Sequence, residues 1–188
     1  MKVWALCGSD WVKASSMAAG VKPCESPPTT AESIEWDSIS GDLMYFNLHG
    51  FLGQPNWFGQ KDGSVGPTAV TPEGIRSRRW DGVVVFAEVC YGAGSEIAQA
   101  FLQQGARAFI GSTGTAYGRI KPTILNGEAD RLMYWFRNAY SIHREPARAL
   151  VIAKTILRIL SYPLSFQDLA TLNDFVCLKG THDERTIN

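Results

Sequence analysis

Two side chains in this sequence are able to do nucleophilic chemistry, and each stands directly after an apolar run. His49 follows residues 42–48 (DLMYFNL), and Cys90 follows residues 82–89 (GVVVFAEV). A free thiol has a pKa of about 8.5 and is mostly protonated at neutral pH, whereas a neighbouring imidazole converts it into a reactive thiolate. Together these two side chains predict covalent attack on a carbonyl carbon.

Small residues follow both side chains. Gly50 comes directly after His49, and Gly92 comes two residues after Cys90, so the backbone is free to approach a substrate at both places. We expect the amide groups of Gly50 and Cys90 to point at the oxyanion formed during attack, where each donor contributes about 10²–10³ in rate. Cys90 also precedes a predicted helix N-terminus, whose dipole favours a thiolate.

Each residue alone has a simpler interpretation. A cysteine that ends a buried strand is most often a small core residue, and a lone His-Gly pair is most often a turn. A functional site is favoured because His49 and Cys90 end successive strands and each is followed by small residues.

The elements that position these residues alternate between apolar runs and helix-like stretches, which is typical of a βαβ protein with a parallel sheet. Reactive residues in such sheets gather beyond the carboxyl ends of the strands. A right-handed crossover between the two strands would place them side by side, with His49 facing Cys90. The predicted strands are 2–7, 42–48, 82–89, 106–111 and 175–178, the main predicted helices are 96–104, 128–141 and 146–160, and the predicted loops are 20–30, 51–70 and 112–118.

The composition is that of an ordinary globular chain. Its 188 residues predict a single domain over 1–188, which is also compatible with a piece of a longer protein. Hydrophobic residues make up 45% and charged residues 19%, too little charge for a disordered chain. Eighteen Lys and Arg balance eighteen Asp and Glu, so we expect neither nucleic acid nor a membrane surface as a partner.

Targeting and metal signals are weak. The sequence has neither an apolar run long enough for a membrane span nor a recognisable signal peptide, and the expected location is cytoplasmic. Cysteines and histidines do not share metal-ligand spacing, so we expect no metal, no cofactor and no disulfide scaffold. We expect His143 and His182 to be surface residues.

Two segments resemble the caspase-fold cysteine peptidases, with the gingipain-like and CHAT-type branches most similar. They are residues 45–50 (YFNLHG) and 84–114 (VVFAEVCYGAGSEIAQAFLQQGARAFIGSTG). In this family one strand ends in His-Gly, and the next ends in the nucleophilic cysteine followed by small residues. The resemblance implies a three-layer α/β fold with a mostly parallel sheet flanked by helices. It also implies a polypeptide substrate, catalytic His49 and Cys90, and an oxyanion hole formed by the amides of Gly50 and Cys90.

The resemblance further implies where a substrate is held. In several branches an acidic residue two positions before the cysteine binds Arg or Lys, and Glu88 has that position. The alternatives for Glu88 are a solvent-facing position or an ion pair with Arg76, Arg78 or Arg79. Ser112 and Thr113 match a loop where a peptide adds to the sheet edge, and the alternative is that they are ordinary turn residues.

Two further sets of residues have open roles. Some family members use an acidic residue to orient the histidine, and the candidates here are Asp37 and Asp42. Trp57 and Phe58 are expected either to wall the cleft or to pin their loop to the core.

The predicted function is a cysteine endopeptidase that works through a thioester and cleaves after Arg or Lys. The main alternative is a noncatalytic scaffold or regulatory domain of the same fold, with other domains or subunits of a larger assembly as partners. A dinucleotide-binding domain is disfavoured, because Ile97 holds the position where the third glycine of that motif would follow Gly92 and Gly94.

Overall fold

The computed structural model describes residues 1–118 and 128–180, and within these ranges the chain forms one large sheet and one hairpin. The strands of the sheet are β1 (Val3–Gly8), β2 (Cys24–Ser26), β3 (Leu43–Asn47), β6 (Val84–Glu88), β7 (Ala108–Ser112) and β8 (Phe175–Lys179), and those of the hairpin are β4 (Trp57–Lys61) and β5 (Ser64–Val70). The order across the sheet is β2-β1-β3-β6-β7-β8. All neighbouring pairs are parallel except β7 and β8.

Helices cover both faces of this sheet. They are α1 (Val12–Ala19), α2 (Pro72–Arg76), α3 (Glu96–Gln103), α4 (Ala129–His143), α5 (Pro146–Leu160) and α6 (Phe166–Asp174). One core lies between the sheet and α2 and α3, and the other lies between the sheet and α1, α4 and α5. The predicted three-layer α/β class, with a mostly parallel sheet flanked by helices, is confirmed.

The central strands are apolar because both of their faces are covered. In β3, Met44 and Phe46 enter the core on the α3 side, whereas Leu43 and Tyr45 enter the core on the α4 side. Every residue of β3 and β6 is buried. This alternation explains why the runs before His49 and Cys90 show no polar period.

Most predicted elements are confirmed with shifts of one or two residues at their ends, and α5 has the predicted bounds. Two predicted loops are wrong in part. Residues 51–70 contain the β4–β5 hairpin, whose two-residue turn, Asp62-Gly63, has φ of 51° and 74°. Positive φ at both positions gives the twist that closes a tight hairpin. Residues 20–30 contain β2, which pairs with β1.

None of the helices in the described ranges is long and apolar enough to cross a membrane.

Candidate active site

The tips of β3 and β6 place His49 and Cys90 level with each other. Asn47 lies opposite Glu88 in the parallel register, and the Leu48 amide donates to the Glu88 carbonyl at 3.3 Å, which extends the ladder past the strand end. His49 and Cys90 are each two residues beyond the Asn47–Glu88 pair. The prediction that consecutive strand ends bring these two residues to one edge of the sheet is therefore confirmed.

Gly50 packs directly against the backbone of the cysteine. A Cβ at this position would lie 2.4 Å from the Cys90 carbonyl oxygen and 2.5 Å from Cγ1 of Val89, so only glycine fits here. Among the described residues, neither the amide of Gly50 nor that of Cys90 takes part in a backbone–backbone hydrogen bond outside the helices and strands. The oxyanion hole formed by these two amides stays a prediction.

Cys90 is half-buried, so its sulfur is not sealed inside the core. Its thiol donates to the Ala116 carbonyl, with 3.6 Å between sulfur and oxygen. Burial raises the pKa of the Cys90 thiol, and backbone hydrogen bonds to the sulfur from Ala116 and from Cys90 itself oppose part of that rise. The expectation that His49 turns this thiol into a thiolate is not met in this state, since no hydrogen bond joins the two side chains.

The turn after Cys90 is held in a strained backbone conformation. Tyr91 has φ of 58°, in the left-handed region that favours glycine. Its amide donates to the Gly114 carbonyl at 2.7 Å, which ties the tip of β6 to the loop after β7. This bond keeps the Ala116 region close to the cysteine.

The His49 side chain is held from several sides. Its ring packs edge-on against Trp11, with 4.8 Å between centroids, and stacks on Phe51 at 6.1 Å. Its backbone exchanges two hydrogen bonds of 2.9 Å with Phe58 of the hairpin. Nε2 of His49 is hydrogen-bonded to Oε1 of Gln60, also on the hairpin.

Gln60 also contacts Asp10, a carboxylate that the sequence did not single out. Nε2 of Gln60 donates to Oδ2 of Asp10 at 3.0 Å. Asp10 also accepts the backbone amides of Gly63 at 2.8 Å and Asp62 at 3.0 Å. These bonds, that from Gly63 above all, hold the pKa of Asp10 below its ordinary value.

The two acidic residues suggested to orient the histidine lie elsewhere. Asp42 accepts the Lys2 amide at 2.6 Å, before the start of β3 and therefore at the far end of that strand from His49. Asp37 is exposed in a short 3₁₀ helix before β3. The prediction for both residues is wrong, because the histidine meets side chains from β4 and from the end of β1 instead.

Glu88 is buried beneath the loop after β7, with 2% of its surface exposed. Its Oε2 accepts the Tyr45 hydroxyl at 2.6 Å, whereas Oε1 has no hydrogen-bond partner among residues 1–118 and 128–180. A Cβ on Gly118 would lie 2.6 Å from that Oε1. Burial, together with repulsion from Asp130, raises the pKa of Glu88 well above its ordinary value.

Both alternatives for Glu88 are wrong. It does not face solvent, and the three arginines bind other partners: Arg76 pairs with Glu96, Arg79 pairs with Asp81, and Arg78 donates to the carbonyls of Trp36 and Ile39.

Further acidic residues surround Glu88 on the α4 side. Asp130 and Glu128 are buried at the start of α4, and both raise the pKa of Glu88 by repulsion. Asn47 donates to Ser15 at 3.1 Å and to Asp130 at 3.4 Å, which connects this group to the end of β3. No spacing signal in the sequence marks these residues, because they follow the loop after β7.

A cleft of about 590 Å³ opens beside the cysteine. Cys90, Gly50 and Thr113 line it, together with the apolar side chains of Phe51, Pro55 and Trp57. The ion pair between Arg76 and Glu96, with 2.6 Å between nitrogen and oxygen, lies on its polar side. The cleft is therefore large enough for several side chains of an extended peptide.

The remaining predicted residues divide between the cleft and its support. Thr113 lines the cleft, and its hydroxyl donates to the Asp174 carbonyl at 3.1 Å. Ser112 is fully buried and accepts the Gly114 amide at 3.1 Å, which favours the turn alternative. Trp57 both lines the cleft and packs on Phe46 in the core, at 5.4 Å.

The other titratable residues add no further site. Within residues 1–118 and 128–180, no three His, Cys, Asp or Glu side chains are grouped closely enough to hold a metal ion. His143 is exposed, as predicted, and His182 lies outside the described residues.

Comparison with known proteins finds similarity at the level of the fold. No protein-family model matches the chain, and no curated protein matches it in sequence. A secreted C11 cysteine protease from Bacteroides thetaiotaomicron, solved by X-ray crystallography with an irreversible peptide inhibitor, is similar with a TM-score of 0.44 and 16% identity. The match covers 73% of this chain and 39% of that chain. At this identity it assigns no role to any residue here, and the gingipain-like and CHAT-type assignments stay predictions.

Proposed function

We propose that this chain is a caspase-like cysteine endopeptidase with Cys90 as nucleophile and His49 as general base and acid. The observation that carries the proposal is the alignment of the two residues at adjacent strand tips, with Gly50 packed against the Cys90 carbonyl. The amides of Gly50 and Cys90 take part in no backbone–backbone hydrogen bond outside helices and strands of the described residues, and an open cleft lies beside the thiol. Each is a part that acyl transfer to a cysteine needs.

The reaction begins when the Cys90 thiol leaves the Ala116 carbonyl and gives its proton to His49. The sulfur then attacks the peptide carbonyl carbon, and the resulting oxyanion accepts hydrogen bonds from the amides of Gly50 and Cys90. The tetrahedral intermediate collapses to a thioester while His49 protonates the leaving amine. Water, deprotonated by His49, hydrolyses the thioester and restores the thiol.

Glu88 supports a preference for Arg or Lys at the position before the cleaved bond. A buried carboxyl group is unfavourable unless a cation joins it, and Oε1 of Glu88 has no hydrogen-bond partner within the described part of the chain. Its neighbours on α4 are also acidic. Gly118 packs against that oxygen, so a basic side chain that binds Glu88 has to displace Gly118.

Hydrolysis of fluorogenic peptides with varied residues before the cleaved bond tests this proposal. We expect wild-type cleavage after Arg or Lys, and loss of at least about 10³ in kcat in Cys90→Ser and His49→Ala. Glu88→Gln is expected to reduce cleavage after basic residues more than cleavage after others. Hydrolysis that survives both substitutions would refute the dyad, and an unchanged basic preference in Glu88→Gln would refute the role of that carboxyl.

The noncatalytic alternative is favoured by one observation. The thiol is bonded to Ala116 instead of His49, and its pKa is raised, which suits a protein that binds peptide without cleaving it. Such a domain would bind peptides in the cleft with the same affinity in Cys90→Ser, and would show no turnover in wild type.

A further inference from the structure

We propose that Gln60 and Asp10 position the His49 ring and fix its tautomer, so that Nε2 carries the proton and Nδ1 exchanges protons with the Cys90 thiol. This inference deepens the proposed function, and the role that it gives to Nδ1 rests on that function. Gln60 and Asp10 act through the histidine and are positioning residues.

The charge state of Asp10 determines which end of the Gln60 amide faces it. Its two oxygens accept three hydrogen bonds, from the side chain of Gln60 and from the amides of Asp62 and Gly63. An ionised carboxylate only accepts hydrogen bonds. The end of the Gln60 amide that faces Asp10 is therefore the NH₂ group.

The orientation of the Gln60 amide in turn determines which ring nitrogen of His49 carries the proton. With its NH₂ group on Asp10, Gln60 presents its carbonyl oxygen to Nε2 of His49. A carbonyl oxygen also only accepts, so Nε2 is the donor in this bond. A neutral imidazole has one ring proton, which leaves the lone pair on Nδ1.

The Gln60 side chain is held in place by the close packing of the hairpin. Gln60 is buried, and a Cβ on Gly8 would lie 2.5 Å from the Cβ of Gln60. A Cβ on Gly59 would lie 2.3 Å from the Ser26 carbonyl oxygen, so the hairpin is seated directly on the strands below it. Rotating the amide would break its bonds to His49 and Asp10 together.

With Nε2 protonated, Nδ1 is free to accept the proton of the Cys90 thiol. When the Sγ–H bond of Cys90 breaks, its proton goes to Nδ1 and the ring becomes an imidazolium with two N–H groups. Nε2–H stays on Gln60, and the negative charge of Asp10 at the far end of the amide stabilises the cation. Nδ1 later returns its proton to the leaving amine.

Nitrogen-15 NMR of the ring tests the inference with His143, which is exposed, as an internal reference. We expect a neutral His49 with its proton on Nε2, and exchange of that proton with water at least about tenfold slower than for His143. Gln60→Met keeps the length of the side chain and removes the acceptor, and it should abolish this difference. The matched control is Gln103→Met, at an exposed position on α3, which should preserve it.

A His49 Nε2 proton that exchanges as fast as that of His143 in the wild-type protein would overturn the inference, and so would protection that is unchanged in Gln60→Met. The wild-type comparison needs no variant to fold. In hydrolysis, Gln60→Met should lower kcat by about tenfold or more with little change in KM, and Asp10→Asn should act in the same direction. Absence of turnover in wild type would refute the proposed function, whereas the ring measurement decides the inference separately.

Discussion

At the scale of single residues, the tip of β6 carries two groups whose acidity is shaped by burial. Cys90 is half-buried beside the cleft, and Glu88, two residues earlier, is fully covered. Removal from water raises the pKa of both groups. The resting site is therefore less negatively charged than its residue types suggest, and a bound cation would favour ionisation of Glu88.

The raised pKa of Glu88 makes stability depend on pH. At pH values between the ordinary pKa of 4.5 and the higher pKa of Glu88 in the fold, the folded state keeps a proton that the unfolded state has lost. The free energy of unfolding therefore falls as the pH rises through that window. We expect the free energy of unfolding of Glu88→Gln to rise relative to that of wild type between pH 4 and pH 7, measured by urea unfolding at each pH.

A matched control for this measurement is Glu32→Gln, an exposed acid whose exchange should give the same difference from wild type at both pH values. If the Glu88→Gln difference is also the same at pH 4 and pH 7, Glu88 is ionised in the fold and the account of its burial is wrong.

The sequence was sufficient to place His49, Gly50 and Cys90 at one edge of the sheet, because each has a fixed place relative to a strand end. It was not sufficient for Gln60 or Asp10. Gln60 reaches the histidine only through the way that the hairpin lies on the sheet, and Asp10 follows a different strand. Contacts of this kind are set by packing between elements, which carries no spacing signal.

At the scale of elements, the β4–β5 hairpin is the support of the histidine. It bonds to the His49 backbone through Phe58 and to the His49 ring through Gln60. Asp62-Gly63 is a turn signal that was present in the sequence. The flanking strands contain Gly59, Gly66 and Pro67, and they lack the alternation that marks a strand, so the segment had the pattern of a loop.

Asp10 fastens the tip of this hairpin to the end of β1. We expect Asp10→Ala to speed hydrogen exchange at the amides of Asp62 and Gly63 at neutral pH, because both lose their acceptor. Because the pKa of Asp10 is lowered in the fold, its hydrogen bonds to these two amides are present in the wild-type protein above the ordinary pKa of an aspartate. They are lost as the pH falls through the lower value.

Asp37→Ala is the control for exchange, since this exposed acid is remote from the hairpin, and it should leave both amides protected. Equal exchange at Asp62 and Gly63 in wild type and Asp10→Ala would contradict the fastening role.

At the scale of the whole molecule, the order of the parallel strands decides where chemistry is possible. The chain moves from β1 outward to β2 and then back to β3 on the other side, which opens a crevice between the ends of β1 and β3. Asp10 and His49 stand at these two ends, and Cys90 follows one strand further. The alternation of strands and helices predicted this sheet, because two covered faces require continuous apolar runs.

The most direct test of a peptidase site at Cys90 and His49 is to locate the adduct of a peptidyl chloromethyl ketone that has arginine as its last residue. We predict alkylation at Cys90, where sulfur displaces chloride, and loss of that adduct in His49→Ala, as mapped by mass spectrometry. Cys24 is the exposed thiol against which the rate is compared. Faster labelling of Cys24 than of Cys90, with no effect of His49→Ala, would contradict the proposal that these two strand tips form a peptidase site.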